Sequence, residues 1–310
     1  MSTTGLTAFN LDMNDLIEEA FERCGKELRS GYDFRTARRS VNIMTIEWAN
    51  KGLNLWTVEQ GQILMNTGQA IYPVPIDTID LLDTTVRQNN GSQSNQIDIN
   101  ISRISEPTYM TIPNKNTQGR PIQVWYNRQS GNIAKIPQAA LVGSITDEDT
   151  TITLDSVANL STTGFVNIGA ETIGYQNIVG NQILNAWRAQ NGTTATAHAD
   201  AAEVYQNNLP CINVWPTPNA PGNQYTFVYY RMRRIQDAGT GVTTQDIPFR
   251  FIPCMAAGLA YHLSTKLPDV DMNRAMALKQ LYDESFQLAA DEDRETAPVR
   301  WVPRNSFYYR

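Results

Sequence analysis

The chain offers two histidines and three cysteines to any chemistry that needs an imidazole or a thiolate. His198 lies among small residues, in Ala197-His198-Ala199, and is expected to be exposed; His262 lies in an apolar run and is expected in a core or an interface. Cys24, Cys211 and Cys254 are odd in number and far apart, which fits buried free thiols of a reducing compartment rather than a disulfide framework or a zinc site. The sequence contains no HExxH, CxxC, GxSxG, Walker A or GxGxxG segment. The usual metal, nucleophile and phosphate-loop chemistries therefore have no foothold, and no catalytic, cofactor-binding or metal-ligating residue is expected. A pair of carboxylates needs no fixed spacing in sequence, so a glycosidase-type cell-wall hydrolase stays open as an alternative.

The residue types that stand out are those of recognition. The C-terminal segment 297–310, APVRWVPRNSFYYR, has two prolines, four aromatics, three arginines and no acid. Pro298 and Pro303 forbid a regular helix there. Trp301, Phe307, Tyr308 and Tyr309 with Arg300, Arg304 and Arg310 are the types enriched where proteins dock, so an extended docking tail is expected. Arg231, Arg233 and Arg234 close a strong strand pattern. Alternation puts Arg231 and Arg233 on one face, where a neighbouring subunit is a better partner than DNA. Arg35, Arg38 and Arg39 open a helix pattern and are expected to be solvated or to pair with acids such as Glu18, Glu19 and Glu22.

Composition narrows the class. The chain has 310 residues, 41% apolar and 18% charged, with a net charge of −6. It can bury a core, and it lacks the basic excess of a nucleic-acid coat. No run of 18 apolar residues occurs, so no transmembrane helix is expected. Met1–Asn10 has neither a basic n-region nor an apolar h-region, so no secretory leader is expected.

The elements follow from periodicity. Asp12 or Asn14 can cap a helix carrying Leu16, Ile17, Ala20, Phe21, Cys24 and Leu28 at helical spacing, and Gly31 breaks the run. Asp33 is the expected cap of a second helix with the stripe Ala37, Val41, Met44 and Trp48, stopped at Asn50-Lys51-Gly52. Leu53–Leu64 and Gln69–Val74 read as a hairpin about Asn66-Thr67-Gly68, followed by strand patterns at Ile76–Arg87, Ile97–Ile101 and Pro121–Arg128. From 137 to 207 the composition turns to Thr, Ala, Gly and Asn. Seven acids face the single base Arg188, a segment charge of −6 equal to that of the whole chain, and the acidity reads as a solvated surface. Strands resume at Cys211–Trp215 and Tyr225–Arg234. Asp246 is then the expected cap of a helix pattern over Phe249–Lys266, and Pro268 separates it from another over Asp271–Asp293.

The fold class expected is α+β. A four-helix bundle forms from N- and C-terminal helical hairpins, with a central β-rich region and an inserted small antiparallel β module. The domains expected are a discontinuous one over 1–136 and 208–296, the inserted module over 137–207, and the extended tail over 297–310.

Four stretches then carry a resemblance. Between Leu55 and Pro75 stands WTVEQGQILMNTGQAIYPVP; Ile104–Pro121 reads ISEPTYMTIPNKNTQGRP; Val214–Ala238 reads VWPTPNAPGNQYTFVYYRMRRIQDA; and from Asp246 stands DIPFRFIPCMAAGLAYHLS. In this order they resemble the head-to-tail adaptor proteins of short-tailed phages, the tail tubular protein A family. The resemblance covers about three-quarters of the chain. It departs at the 137–207 insertion, where Ile168–Tyr205 is similar to a small β module of varied phage tail proteins. The resemblance implies a structural virion protein of the phage neck, made in the host cytoplasm, without enzymatic activity, cofactor or membrane. Its implied partners are the portal protein, the tail nozzle protein and copies of itself in a ring, a dodecamer. Double-stranded DNA would pass through the lumen without sequence-specific binding. The tail Arg300–Arg310 would grip the portal. Host-surface carbohydrate binding through the 137–207 module is the alternative of another class.

Overall fold

The computed structural model of the protein describes residues 11–52 and 55–293. These form five α-helices: α1 (Met13–Arg23), α2 (Gly31–Asn50), α3 (Glu106–Met110), α4 (Ile252–Ser264) and α5 (Met272–Glu292). They also form five β-sheets. The chain divides into two compact units, one holding both ends of the chain up to Thr57 and from Ile235, the other the continuous stretch Val58–Arg234.

In the first unit, Asp12 caps α1 by accepting the Asp15 N–H at 2.9 Å. Ser30, rather than Asp33, caps α2. Its extended backbone lets Oγ accept the Asp33 N–H at 3.2 Å, while its hydroxyl donates to the Asp33 carboxylate at 2.9 Å. Gly31 is thus the first helical residue and not a break. The stripe Ala37, Val41, Met44 and Trp48 is fully buried, as its spacing predicts. Asp246 does not cap α4 either. Its carboxylate accepts the Gln236 N–H and its carbonyl accepts Trp56 Nε1–H, while a 3-10 turn, Phe249–Phe251, leads into the helix.

The expected four-helix bundle of two hairpins is not what forms. Strand accounts for 31% of the described residues against 27% helix, so the protein is β-rich. The helices, moreover, are not organised as paired hairpins. α4 is the centre: nine of its thirteen residues are buried, and α1, α2 and α5 each pack on it, while α1 and α2 barely touch. The physical reason is composition. Ala256, Ala257, Gly258 and Ala260 keep α4 thin, so three helices approach its axis at once. A Cβ on Gly258 would lie 2.5 Å from Met44 Sδ of α2 and 2.7 Å from the Tyr282 ring of α5. Trp48 donates its indole N–H to the Tyr282 hydroxyl at 2.8 Å and packs on Phe251.

In the second unit, the expected hairpin of Leu53–Leu64 with Gln69–Val74 is absent. Val58–Leu64 pairs with Tyr225–Arg233, and Ile71–Pro73 pairs with Cys211–Trp215 in another sheet. The first sheet runs Val58–Leu64, Tyr225–Arg233, Thr78–Gln88, Ile97–Asn100, all antiparallel. The second runs Ile71–Pro73, Cys211–Trp215, Gln123–Asn127, Ser102–Arg103, the last pair parallel. Both contribute to one core, with Tyr72, Val124 and Ile212 from one side and Leu81, Val86 and Phe227 from the other. Residues 137–207 supply a five-stranded sheet, ordered Trp187–Gln190, Glu171–Tyr175, Gly164–Ile168, Glu203–Asn207, Ala139–Ala140, and a three-stranded one. They enclose their own core around Ile152, Val166, Ile173, Tyr175 and Val204.

Among the described residues no helix is long and apolar enough to cross a membrane, and no group of His, Cys, Asp and Glu is placed to hold a metal ion.

Candidate interaction surfaces and a buried charge cluster

The lone base of the 137–207 segment explains the segment's most buried acid. Glu171 sits in a strand whose five residues are all buried, and its carboxylate is fully covered. Arg188 reaches it with two parallel bonds, Nε to Oε1 at 2.7 Å and Nη2 to Oε2 at 2.8 Å. The remaining guanidinium donors close on the Thr146, Asp149 and Thr196 carbonyls. His198 Nε2 lies 2.8 Å from Glu171 Oε2, and the Ala189 and Thr196 N–H groups also donate to the carboxylate. Burial disfavours the charge, but these donors outweigh it and bring the Glu171 carboxyl down to about 2. A carboxylate so held has no proton to give at neutral pH, so it anchors the sheet and its loops instead of acting as a general acid. Two expectations are corrected here: His198 is docked on Glu171 and not exposed, and the module's acidity is not all solvated surface.

The three cysteines are buried and free. Burial pushes the Cys24 thiol up to about 11 and those of Cys211 and Cys254 to about 12, so none is a ready nucleophile. His262 lies beside Glu47 at 3.5 Å; burial, opposed by Glu47, pulls its pKa down.

Arg231 and Arg233 do share a face, and they spend their guanidinium groups inside the chain. Arg231 binds Glu59 at 2.9 Å and Asp77 at 2.5 Å, and Arg233 binds Glu59 at 2.6 Å, tying Val58–Leu64 and the loop before Thr78 to the strand between them. Arg234 is exposed. Residues Arg300, Trp301, Arg304, Phe307, Tyr308, Tyr309 and Arg310 lie outside the described residues. Arg38 approaches Asp237 at 4.0 Å rather than the acids of α1.

One surface escaped the sequence reading. The side of α2 opposite its buried stripe carries Tyr32, Arg35, Arg39, Ile43, Ile46 and Asn50 at three- and four-residue steps, all exposed. Tyr32 is 68% exposed and Ile46 61%, so this face presents aromatic and aliphatic surface beside its arginines. The signal was available: the same period that marks Ala37, Val41, Met44 and Trp48 marks a second, apolar-bearing stripe behind it.

Comparison with known proteins adds the family. The family model described as SU10 adaptor protein matches residues 138–302, a stretch that takes in the 137–207 strands, Tyr225–Arg233, α4 and α5. No curated protein matches the chain. The match covers more than half of the sequence. The chain belongs to the SU10 adaptor protein family and is a structural adaptor of a bacteriophage virion.

Proposed function

We propose that the protein is a head-to-tail adaptor: copies of the chain assemble as a ring, a dodecamer, between portal and tail nozzle, and DNA passes through its lumen. The observation that carries this reading is the exposed stripe Tyr32–Arg35–Arg39–Ile43–Ile46 on α2. Tyrosine and arginine in line with exposed isoleucines are residue types that suit a protein-docking face. In the family the resemblance points to, the helical part faces the portal, which makes the portal or a neighbouring copy the surface that covers this stripe. The tail 297–310 supplies a second grip, with Trp301 and the tyrosines filling pockets and the arginines pairing across the groove. Arg234 meets the neighbouring subunit. The net charge of −6 keeps DNA from adhering during passage.

The test mixes the full chain with portal rings of its phage and follows co-sedimentation. The wild-type chain is expected to sediment with the portal as a ring. The double variant Ile43→Asp, Ile46→Asp and the deletion of residues 297–310 are each expected to lose at least tenfold in affinity, ~1.4 kcal/mol or more, as hot-spot losses do. Undiminished co-sedimentation of both variants, or none by the wild type, overturns the reading.

A further inference from the structure

The seam between the 137–207 strands and the rest of the second unit is open. One stretch of the groove, about 540 Å³, is followed by another of about 420 Å³, and they share Asn116, Gln176, Asn177 and Asn185. Both volumes fall in the range of small-molecule sites. Neither stretch is lined by a single charged residue, in a chain of which 18% is charged.

What lines it instead is amide, hydroxyl and one indole, with the aliphatic side chains of Ile178, Val179, Leu184 and Ala186 between them. Asn116, Gln118, Gln176, Asn177 and Asn185 bring side-chain amides, and Trp187 brings a half-buried ring. Thr67, Thr150, Thr162 and Thr163 add hydroxyls. The amides are positioned. Gln176 is clamped through Oε1, which accepts the Ala70 N–H and, at 3.3 Å, the Ile71 N–H, so its NH₂ group is left without a protein acceptor among the described residues. Asn185 is fixed by a left-handed backbone, φ 53°.

We propose that this groove binds an uncharged polysaccharide chain. An amide carries donors and an acceptor together, which matches hydroxyls that must both give and receive hydrogen bonds. The Trp187 face supplies the apolar partner for the C–H face of a sugar ring. The other ligand classes are poorly served. A phosphate or carboxylate needs arginine or lysine, a hard cation needs carboxylates, and nucleic acid needs a cationic groove; the lining offers none of these. A protein partner would call for an apolar centre, whereas the four residues common to both stretches are all amides and the larger aliphatic ones lie to one side of them.

The experiment is affinity electrophoresis of the full chain in native gels cast with dextran, laminarin or galactomannan, with acidic alginate as the contrast. Retardation is expected in at least one neutral gel and not in alginate. Trp187→Ala should weaken it about tenfold and Asn177→Ala severalfold. Asn185→Gly keeps the left-handed backbone while removing the amide, so it tests the site even if Trp187→Ala unfolds. Light scattering of the same variants is run in parallel. Absence of retardation in every neutral gel, retardation by alginate alone, or retardation indifferent to all three substitutions overturns the proposal. A change of oligomeric mass without glycan retention also overturns it and makes the groove a contact between copies.

Discussion

Glu171 shows what one residue can decide. Its folded pKa, about 2, lies below the ordinary value of 4.5. For a carboxyl lowered on folding, the stabilisation is complete above the unfolded value and is lost as pH falls through 4.5 towards 2. The loss amounts to about 3 kcal/mol, and it should appear as a fall in the thermal midpoint over that window, measured by circular dichroism. Glu171→Gln should remove that acid dependence and cost ~3–5 kcal/mol at neutral pH, because Arg188 would be left buried without its counter-charge. A neutral-pH midpoint equal to the wild type would take the cluster out of the fold's stability. Little of this was legible beforehand. Glu171, Arg188 and His198 are spread over nearly thirty residues of an acidic stretch, and only their folding together makes a site. The one available hint was arithmetic: a single arginine among seven acids is a candidate for burial with one of them. The amide groove was less legible still, since Thr67, Asn116, Gln176 and Trp187 meet only once the strands are placed.

At the scale of elements, α4 sets the terms. Gly258→Ala would gain ~1 kcal/mol of helix propensity but force a methyl against Met44 and Tyr282, which costs ~1–3 kcal/mol. The net effect should be destabilising, read as a lower urea midpoint at unchanged slope; a gain would mean that α2 and α5 have room to move apart. Trp48→Ala should cost ~3–5 kcal/mol, because it empties the space beside Phe251 and leaves the buried Tyr282 hydroxyl without its donor. Helices were readable because 3.6-residue spacing is a local property, and Ala37, Val41, Met44 and Trp48 state it in twelve residues. Their partners were not. Nothing local says that α1 and α2 would prefer α4 to each other, or that Val58–Leu64 would pass over the nearby Ile71–Pro73 for Tyr225–Arg233, far along the chain. The first-choice hairpin was therefore the natural expectation and the wrong one.

At the scale of the whole molecule, the chain leaves the second sheet at Asn127 and re-enters it at Cys211, and these two residues are directly paired. A short turn can therefore replace residues 137–207, whose core is their own. The shortened chain should keep a cooperative transition with a lower midpoint, because Phe165 would no longer cover Ala70, Ile71 and Cys211. Aggregation or a broad transition would show that the segment is part of the main core. The two-unit division has a further consequence, in time rather than in space. α1 and α2 leave the ribosome ahead of the helix that covers them, α4, which follows about 200 residues later, a wait of ~10–40 s at ordinary elongation rates. Val58–Arg234 is complete 18 residues before α4 begins. The growing chain thus folds Val58–Arg234 while α1 and α2 hold Phe21, Met44 and Trp48 uncovered. A nascent chain halted before Ile252 should accordingly recruit a holdase at α1 and α2, and one extended past α5 should release it.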